Sequence, residues 1–226
     1  MLILSILALL PGLTIAFFLY KKDIYEKEPP GHLVKAFLLG SLSVPVAAVI
    51  EISLGRSTVF VEAFIFIALT EELCKFLILI RFFYRKPLFN EPYDGIVYAG
   101  FISLGFATLE NLFYVLDKGL AVAIVRMFLA VPAHAIFGVD MGYFVGGAKF
   151  FRKSKTAFLV MGLLAAVILH GFYDYFLMAG VSYLVMFSLV LVVIGIVVSL
   201  KAIRIREKQS PFNPANRPVP ARPPSP

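Results

Sequence analysis

Apolar positions along the chain collect into long runs separated by short polar stretches. Seven runs stand out, at about 2–20, 31–53, 59–83, 94–116, 120–147, 156–178 and 182–200. Each approaches or exceeds the roughly 20 residues that a helix needs to cross a bilayer core about 30 Å thick. The pattern predicts an all-α polytopic membrane helix bundle with about seven transmembrane helices. The first run reads as a retained helix and not a signal peptide, because no basic residue precedes it and no small-x-small cleavage site follows. Pro132, inside the long fifth run, predicts a kink at the preceding residue.

Composition sharpens this picture. Of the 226 residues 60% are hydrophobic and 15% charged, and the mean hydropathy is +0.90, against roughly 45–50% apolar residues in a soluble domain. A water-soluble globule is excluded, and lipid is the solvent for most of the chain. The net charge of +7 is explained by where the basic residues fall. Lys21, Lys22 and Lys27 follow the first run, Arg85 and Lys86 the third, Lys149, Arg152, Lys153 and Lys155 the fifth, and Lys201, Arg204, Arg206 and Lys208 the seventh. The other loops hold only Arg56 and Lys118. By the positive-inside rule the N-terminus is outside and the C-terminus cytoplasmic, so the basic excess needs no nucleic acid. Residues 1–208 read as one integral membrane domain and 209–226 as a disordered, Pro-rich cytoplasmic tail. The lone Cys74 offers neither a disulfide nor a CxxC site.

Ionisable residues inside the runs are the strongest functional signal. Glu71, Glu72, Lys75, Glu110, His134, Asp140, His170 and Asp174 lie there, with Arg126 nearer an end. Each charge at a helix centre costs about 2.5–3.5 kcal/mol on the insertion scale, so such residues mark a site by default. At about 1.5 Å of rise per residue, Glu71 falls roughly 18 Å and His134 roughly 21 Å from the outer end of its run, and Glu110 and His170 roughly 9 and 12 Å. The acidic and imidazole groups therefore share the outer half of the membrane. Asp140, near the inner end, reads as an interfacial residue. His170 and Asp174 share a helix face at i,i+4, as do Glu71 and Lys75, whereas Glu72 points about 100° from Glu71. Mutual neutralisation by Glu71 and Lys75 would leave Glu72 and Glu110 unexplained. Asn111 is a candidate donor to substrate or, equally, interhelical glue. The glycines at 95, 100, 105, 138, 142, 146 and 147 read as close-packing positions, and Asp94 as an N-cap.

Peptide hydrolysis needs a base for water, an acid for the leaving amine and donors for the oxyanion. Glu71, Glu72, Glu110, His134, His170 and Asp174 supply the acid, base and imidazole parts. No activated Ser or Cys is evident, which disfavours a covalent route. No cofactor is required, although Glu71, His134 and His170 would also serve as zinc ligands without the HExxH spacing. Buried Glu and His also build proton relays, so a proton-coupled transporter is the alternative from another class, and a noncatalytic scaffold the third.

Five elements in order carry a resemblance: Asp23-x-x-Glu26-Lys27-Glu28-Pro29; Glu71-Glu72-x-x-Lys75; Tyr93-Asp94-Gly95-Ile96-Val97-Tyr98 leading to Leu104-Gly105-Phe106-Ala107-Thr108-Leu109-Glu110-Asn111; His134-Ala135-x-x-Gly138 with Met141-Gly142-Tyr143; and Leu169-His170-Gly171-x-Tyr173-Asp174. Over residues 20–178 the chain resembles the PrsW family of intramembrane proteases. The resemblance implies a multi-pass bacterial plasma-membrane enzyme that makes the site-1 cut in a membrane-spanning anti-sigma factor, leading to release of an extracytoplasmic-function sigma factor. It also implies kinship with the CAAX prenyl endopeptidases and Abi proteins, described as glutamate-dependent with EExxxR, FxxxH and HxxxN motifs. This chain departs from those motifs at Lys75, one position before the arginine, and at Asp174 in place of asparagine. Which of Glu71 and Glu72 is the base stays open, as does whether His134 or Glu110 fills the middle position. His170 is the expected oxyanion contact.

Overall fold

The structure, a computed structural model, describes residues 2–151 and 154–216. The described residues form an all-α bundle without strands. Its helices are α1 (Leu2–Lys22), α2 (Pro30–Leu54), α3 (59–84), α4 (Asp94–Lys118), α5 (Leu120–Phe128), α6 (Ala130–Phe150), α7 (Lys155–Met178) and α8 (Ser182–Lys208), followed by a 3₁₀ turn at Pro214–Asn216. Pro30 opens α2, where its missing N–H has no helical partner to lose, and Gly55 closes it with φ +78°. Gly119, at φ +81°, separates α4 from α5.

Two of the expected spans are interrupted. The third consists of a short α turn, a π-helical stretch Glu62–Leu69, an α segment Thr70–Ile78 and a second π stretch Leu79–Tyr84. It is helical throughout but lacks the unbroken α geometry of α1, α2, α4, α7 and α8. The fifth breaks at Leu129 and not at the residue before Pro132. The proline ring opposes the carbonyl four residues upstream, Phe128, so the α5 ladder ends there and a new helix starts.

Helix α4 is the centre of the bundle. Its most apolar window is 72% buried, against 22% for α8, and it packs most extensively on α6, then α2 and α1. Between apolar helices in lipid, close backbone approach and dispersion must supply what the hydrophobic effect supplies in water. The glycines make that approach. A methyl group at Gly105 would collide with the Phe37 carbonyl of α2, and one at Gly142 with the Gly95 carbonyl of α4. The outer faces carry the lipid-compatible side chains, among them Leu42, Val46 and Val49 on α2 and Val193, Ile194 and Val197 on α8.

Some polar expectations change. Asp94 does not cap α4 from its own start. Its Oδ2 reaches back to accept the Asn90 and Glu91 N–H groups at 2.6 and 2.8 Å, because the preceding loop folds over it. Asp140 is 8% exposed and faces clefts between α6, α7 and α8. Arg206 is buried and donates through Nε and Nη2 to the Tyr143 carbonyl at 3.0 and 2.6 Å, stapling α8 to α6. Ser210, in the segment expected to be a disordered tail, is buried and bonds to the Glu91 carboxylate. Residues 217–226, Arg152 and Lys153 lie outside the described residues.

At this end of the bundle Asp23, Glu28 and Glu91 are buried loop carboxylates, pushed up to about 6, 7 and 7 first by desolvation. Their folded values exceed the unfolded ones near 4. The stability they contribute is complete below about pH 4 and lost as pH rises through 6–7. Melting in detergent with chelator should therefore shift to lower temperature between pH 5 and 8. Gly105→Val, which forces α2 from α4, should destabilise by at least about 1–3 kcal/mol, measured as loss of folded protein in the same assay.

Candidate active site

Four elements deliver the site. Helix α3 brings Glu71, Glu72 and Lys75, α4 brings Glu110, α6 brings His134, and α7 brings His170 and Asp174. One ligand-type atom from each of Glu71, Glu72, His134 and His170 lies within 4.8 Å of the others. Residues far apart in sequence thus meet as the depth estimates require.

Lys75 holds the cluster together. It is 1% exposed, and its Nζ donates to Glu71 Oε2 at 3.1 Å, Glu72 Oε1 at 2.8 Å and His134 Nδ1 at 3.2 Å. The Phe106 ring lies 4.0 Å from the same ammonium. An ammonium can only donate, so His134 accepts at Nδ1 and carries its proton on Nε2, 3.0 Å from Glu110 Oε2. Arg126 Nη2 reaches Glu110 at 2.9 Å, but its N–H bonds are not aimed at that carboxylate and stay unpartnered. Arg126 also stacks on Tyr114 at 4.0 Å.

His170 lies between two acids. Its Nδ1 is 2.9 Å from Glu72 Oε1 and its Nε2 is 3.2 Å from Asp174 Oδ2. Carboxylates accept only, so the ring satisfies both as imidazolium. Phe137 stacks on it at 4.8 Å and fixes its plane. With both nitrogens engaged, the arrangement gives His170 no free donor for an oxyanion.

A cavity of about 410 Å³ opens onto this cluster. Glu71, Glu110, His134, His170 and Asp174 line it; Glu72 does not. The two glutamates therefore face different surroundings, as their angular separation predicts. Glu71 meets the cavity, whereas Glu72 is fully buried with Oε2 unpartnered. Asn111 stays outside the cavity wall: its Nδ2 donates to the Ala8 carbonyl at 2.9 Å and its Oδ1 accepts from Arg126 Nε at 3.0 Å. As placed, it makes the interhelical contact weighed as its alternative.

Three further groups line the cavity, two of which, Glu51 and Tyr173, sequence reasoning missed. Glu51 of α2, Arg126 of α5 and Tyr173 of α7 all line it. Arg126 stands out in the sequence as an ionisable residue near a run end but without an assigned role, and Glu51 carries the same signal as Glu110, an ionisable group inside an apolar run. Tyr173 gave no comparable signal.

The comparisons with known proteins decide the family. The PrsW-protease family model, described as PrsW family intramembrane metalloprotease, matches residues 28–200. The chain belongs to the PrsW family of intramembrane proteases. It is 42% identical to Protease PrsW of Geobacillus kaustophilus over 173 residues, which cover 75% of this chain and 77% of that one. It is 38% identical to Protease PrsW of Bacillus subtilis over 174 residues, 75% and 80% of the two chains. With Protease PrsW of Clostridioides difficile it shares 34% identity over 204 residues, 84% and 86% of the two. No solved structure matches. This PrsW-family chain is accordingly a peptidase and a multi-pass bacterial membrane protein.

The donor set also accommodates a metal. Each histidine has a carboxylate at Nε2, Glu110 for His134 and Asp174 for His170, while Nδ1 of His170 meets Glu72 and Nδ1 of His134 meets the Lys75 ammonium that bridges the glutamates. That carboxylate–histidine arrangement is the outer shell common at metal sites, and the unpartnered Glu72 Oε2 is a spare ligand atom.

Substitutions should separate the two glutamates by stability. Glu72→Gln weakens two buried charge-assisted contacts and should cost about 1–3 kcal/mol, whereas Glu71→Gln weakens one at the cavity wall and should cost less. Lys75→Met strips the only ammonium from two buried carboxylates and should cost about 3–5 kcal/mol. Thermal melts of the purified variants in detergent check the order.

Proposed function

We propose that this PrsW-family chain makes the site-1 cut in a single-span anti-sigma factor close to the outer membrane face, using water activated by Glu71, and so leads to release of an extracytoplasmic-function sigma factor. The observation that carries the reading is the asymmetry of the glutamates: Glu71 faces the cavity and Glu72 does not. The basic loops support an orientation with the N-terminus outside. In that orientation the cavity lies in the outer half of the membrane, where an extracytoplasmic first cut belongs.

In this reading Glu71 takes a proton from a water in the cavity while the water oxygen bonds to the scissile carbonyl carbon. The Glu71 carboxyl then gives that proton to the amide nitrogen as the C–N bond breaks, so protons and bonds balance. Such a positioned base contributes about 10²–10⁴ in rate. Arg126, which lines the cavity and pairs with Glu110 through Nη2 at 2.9 Å, is the cationic donor nearest the developing oxyanion in this reading; one such donor is worth about 10²–10³. Glu110 holds His134, and Asp174 and Glu72 hold His170, so that the imidazoles keep their orientation as charge shifts.

A second reading has a specific observation in its favour, the two carboxylate-backed imidazoles with the spare Glu72 oxygen. Glu71, Glu72, His134 and His170 would hold a divalent metal, which when bound lowers the pKa of water toward 7 and polarises a carbonyl. The Lys75 ammonium already contacts Glu71, Glu72 and His134, so this reading requires it to withdraw. That is why Glu71 acting directly is placed first.

Cleavage of a single-span anti-sigma factor by the full chain in liposomes tests the proposal. Turnover should survive a strong zinc chelator and fall at least 100-fold in Glu71→Gln. Loss to the chelator with recovery on added zinc would establish the second reading. No cleavage under any condition would reinstate the transporter or scaffold alternatives.

A further inference from the structure

The end of the bundle away from the cavity buries a second set of acids that no cation among the described residues pairs with. Asp23, Glu28 and Asp94 are 0%, 1% and 0% exposed, and Glu26 is half-buried beside them. One carboxylate oxygen from each of Glu26, Glu28 and Asp94 lies within 4.8 Å of the others. Each of these residues, and Asp23, keeps a buried oxygen with no hydrogen-bond partner: Asp23 Oδ1, Glu26 Oε2, Glu28 Oε1 and Asp94 Oδ1. Their other contacts hold them in place. Asp23 Oδ2 accepts the Glu28 N–H at 2.8 Å, Tyr98 donates its hydroxyl to Glu28 Oε2, and Asp94 Oδ2 accepts two backbone N–H groups.

Buried carboxylates without partners are expensive, and the active site shows how this protein handles them: it inserts Lys75. Here no ammonium or guanidinium forms an ion pair with these four acids among the described residues. Lys149 is near enough to be felt by Glu28 and Asp94, but its Nζ is committed to the Tyr84 and Lys86 carbonyls at 2.8 and 3.0 Å. Lys27 is exposed. We propose that Glu26, Glu28 and Asp94 form an oxygen-only site for a hard divalent cation, calcium or magnesium, that clamps the α1–α2 loop to the start of α4. Spare, immobilised carboxylate oxygens are the ligands such ions select, at about 2.3–2.6 Å for calcium and 2.0–2.1 Å for magnesium, whereas zinc prefers nitrogen and sulfur. A separation of up to 4.8 Å spans opposite sides of a calcium shell. The site lies apart from the peptidase cluster and does not depend on how water is activated there.

The chain has no Trp and ten Tyr, so terbium luminescence sensitised by tyrosine reports an ion beside Tyr98. The full chain in detergent, stripped with chelator, is titrated with terbium and then with calcium or magnesium, and its melting temperature is followed in parallel. We expect saturable emission that calcium or magnesium displaces and zinc does not, a melting temperature raised by several degrees, and affinity at least tenfold weaker in Glu26→Gln. That variant removes charge from a half-buried position and should fold even if Glu28→Gln does not. A Glu71→Gln control should leave the emission intact. Emission lost in that control and kept in Glu26→Gln would move the ion to the other cluster and overturn the assignment. So would the absence of saturable binding at millimolar calcium and magnesium, in which case the carboxyl groups are neutralised by protons.

Discussion

One buried ammonium decides how the cluster of Glu71, Glu72, His134 and His170 is built. Lys75 could not stay charged in a helix bundle surrounded by lipid without several acceptors, and Glu71, Glu72 and His134 provide them. Each acceptor in turn fixes something else. Glu72 holds His170 across 98 positions of sequence, and His134 holds Glu110. Two further helices, α2 with Glu51 and α5 with Arg126, complete the cavity wall. The charge on α3 thus specifies which faces of α4, α6 and α7 turn inward, because every alternative leaves an ion unpaired in a low-dielectric interior.

The scaffold permits this by bringing backbones close where no side chain intervenes. Gly105 against Phe37 and Gly142 against Gly95 let α2 and α6 lie directly on α4. Only then do Glu110 and His134, on those two faces, come within hydrogen-bond reach. The π-helical stretches of α3 sit on both sides of the segment Thr70–Ile78 that carries Glu71, Glu72 and Lys75, a placement common for π segments at functional sites. At the opposite end of the bundle the same fold gathers acids that pair with no cation among the described residues, so the two ends meet the same electrostatic constraint differently.

Much of this was legible in the sequence because lipid simplifies the grammar. Long apolar runs gave the helices, and charges inside them marked the cluster of Glu71, Glu72, Glu110, His134 and His170. Less legible were features that depend on local hydrogen bonding. Nothing in an apolar run distinguishes π from α geometry, so the interruption of α3 left no mark. Pro132 signalled a break but not that it would fall at Leu129. The backward reach of Asp94 and the burial of Arg206 and Ser210 are tertiary facts, set by loops folding over helix ends. Lys75 was read as a neutralising partner of Glu71 alone, because spacing along one helix says nothing of His134, on another.

The account stands on contact between α3 and α7 through Glu72 and His170, and a double-mutant cycle measures it directly. Glu72→Gln, His170→Gln and the double variant are compared with the unaltered chain by unfolding free energy in detergent. The structure predicts that the two losses are not additive, with a coupling of about 0.5–3 kcal/mol. Losses that simply add would mean the two side chains do not meet, and the cluster described above would not be the one the protein forms.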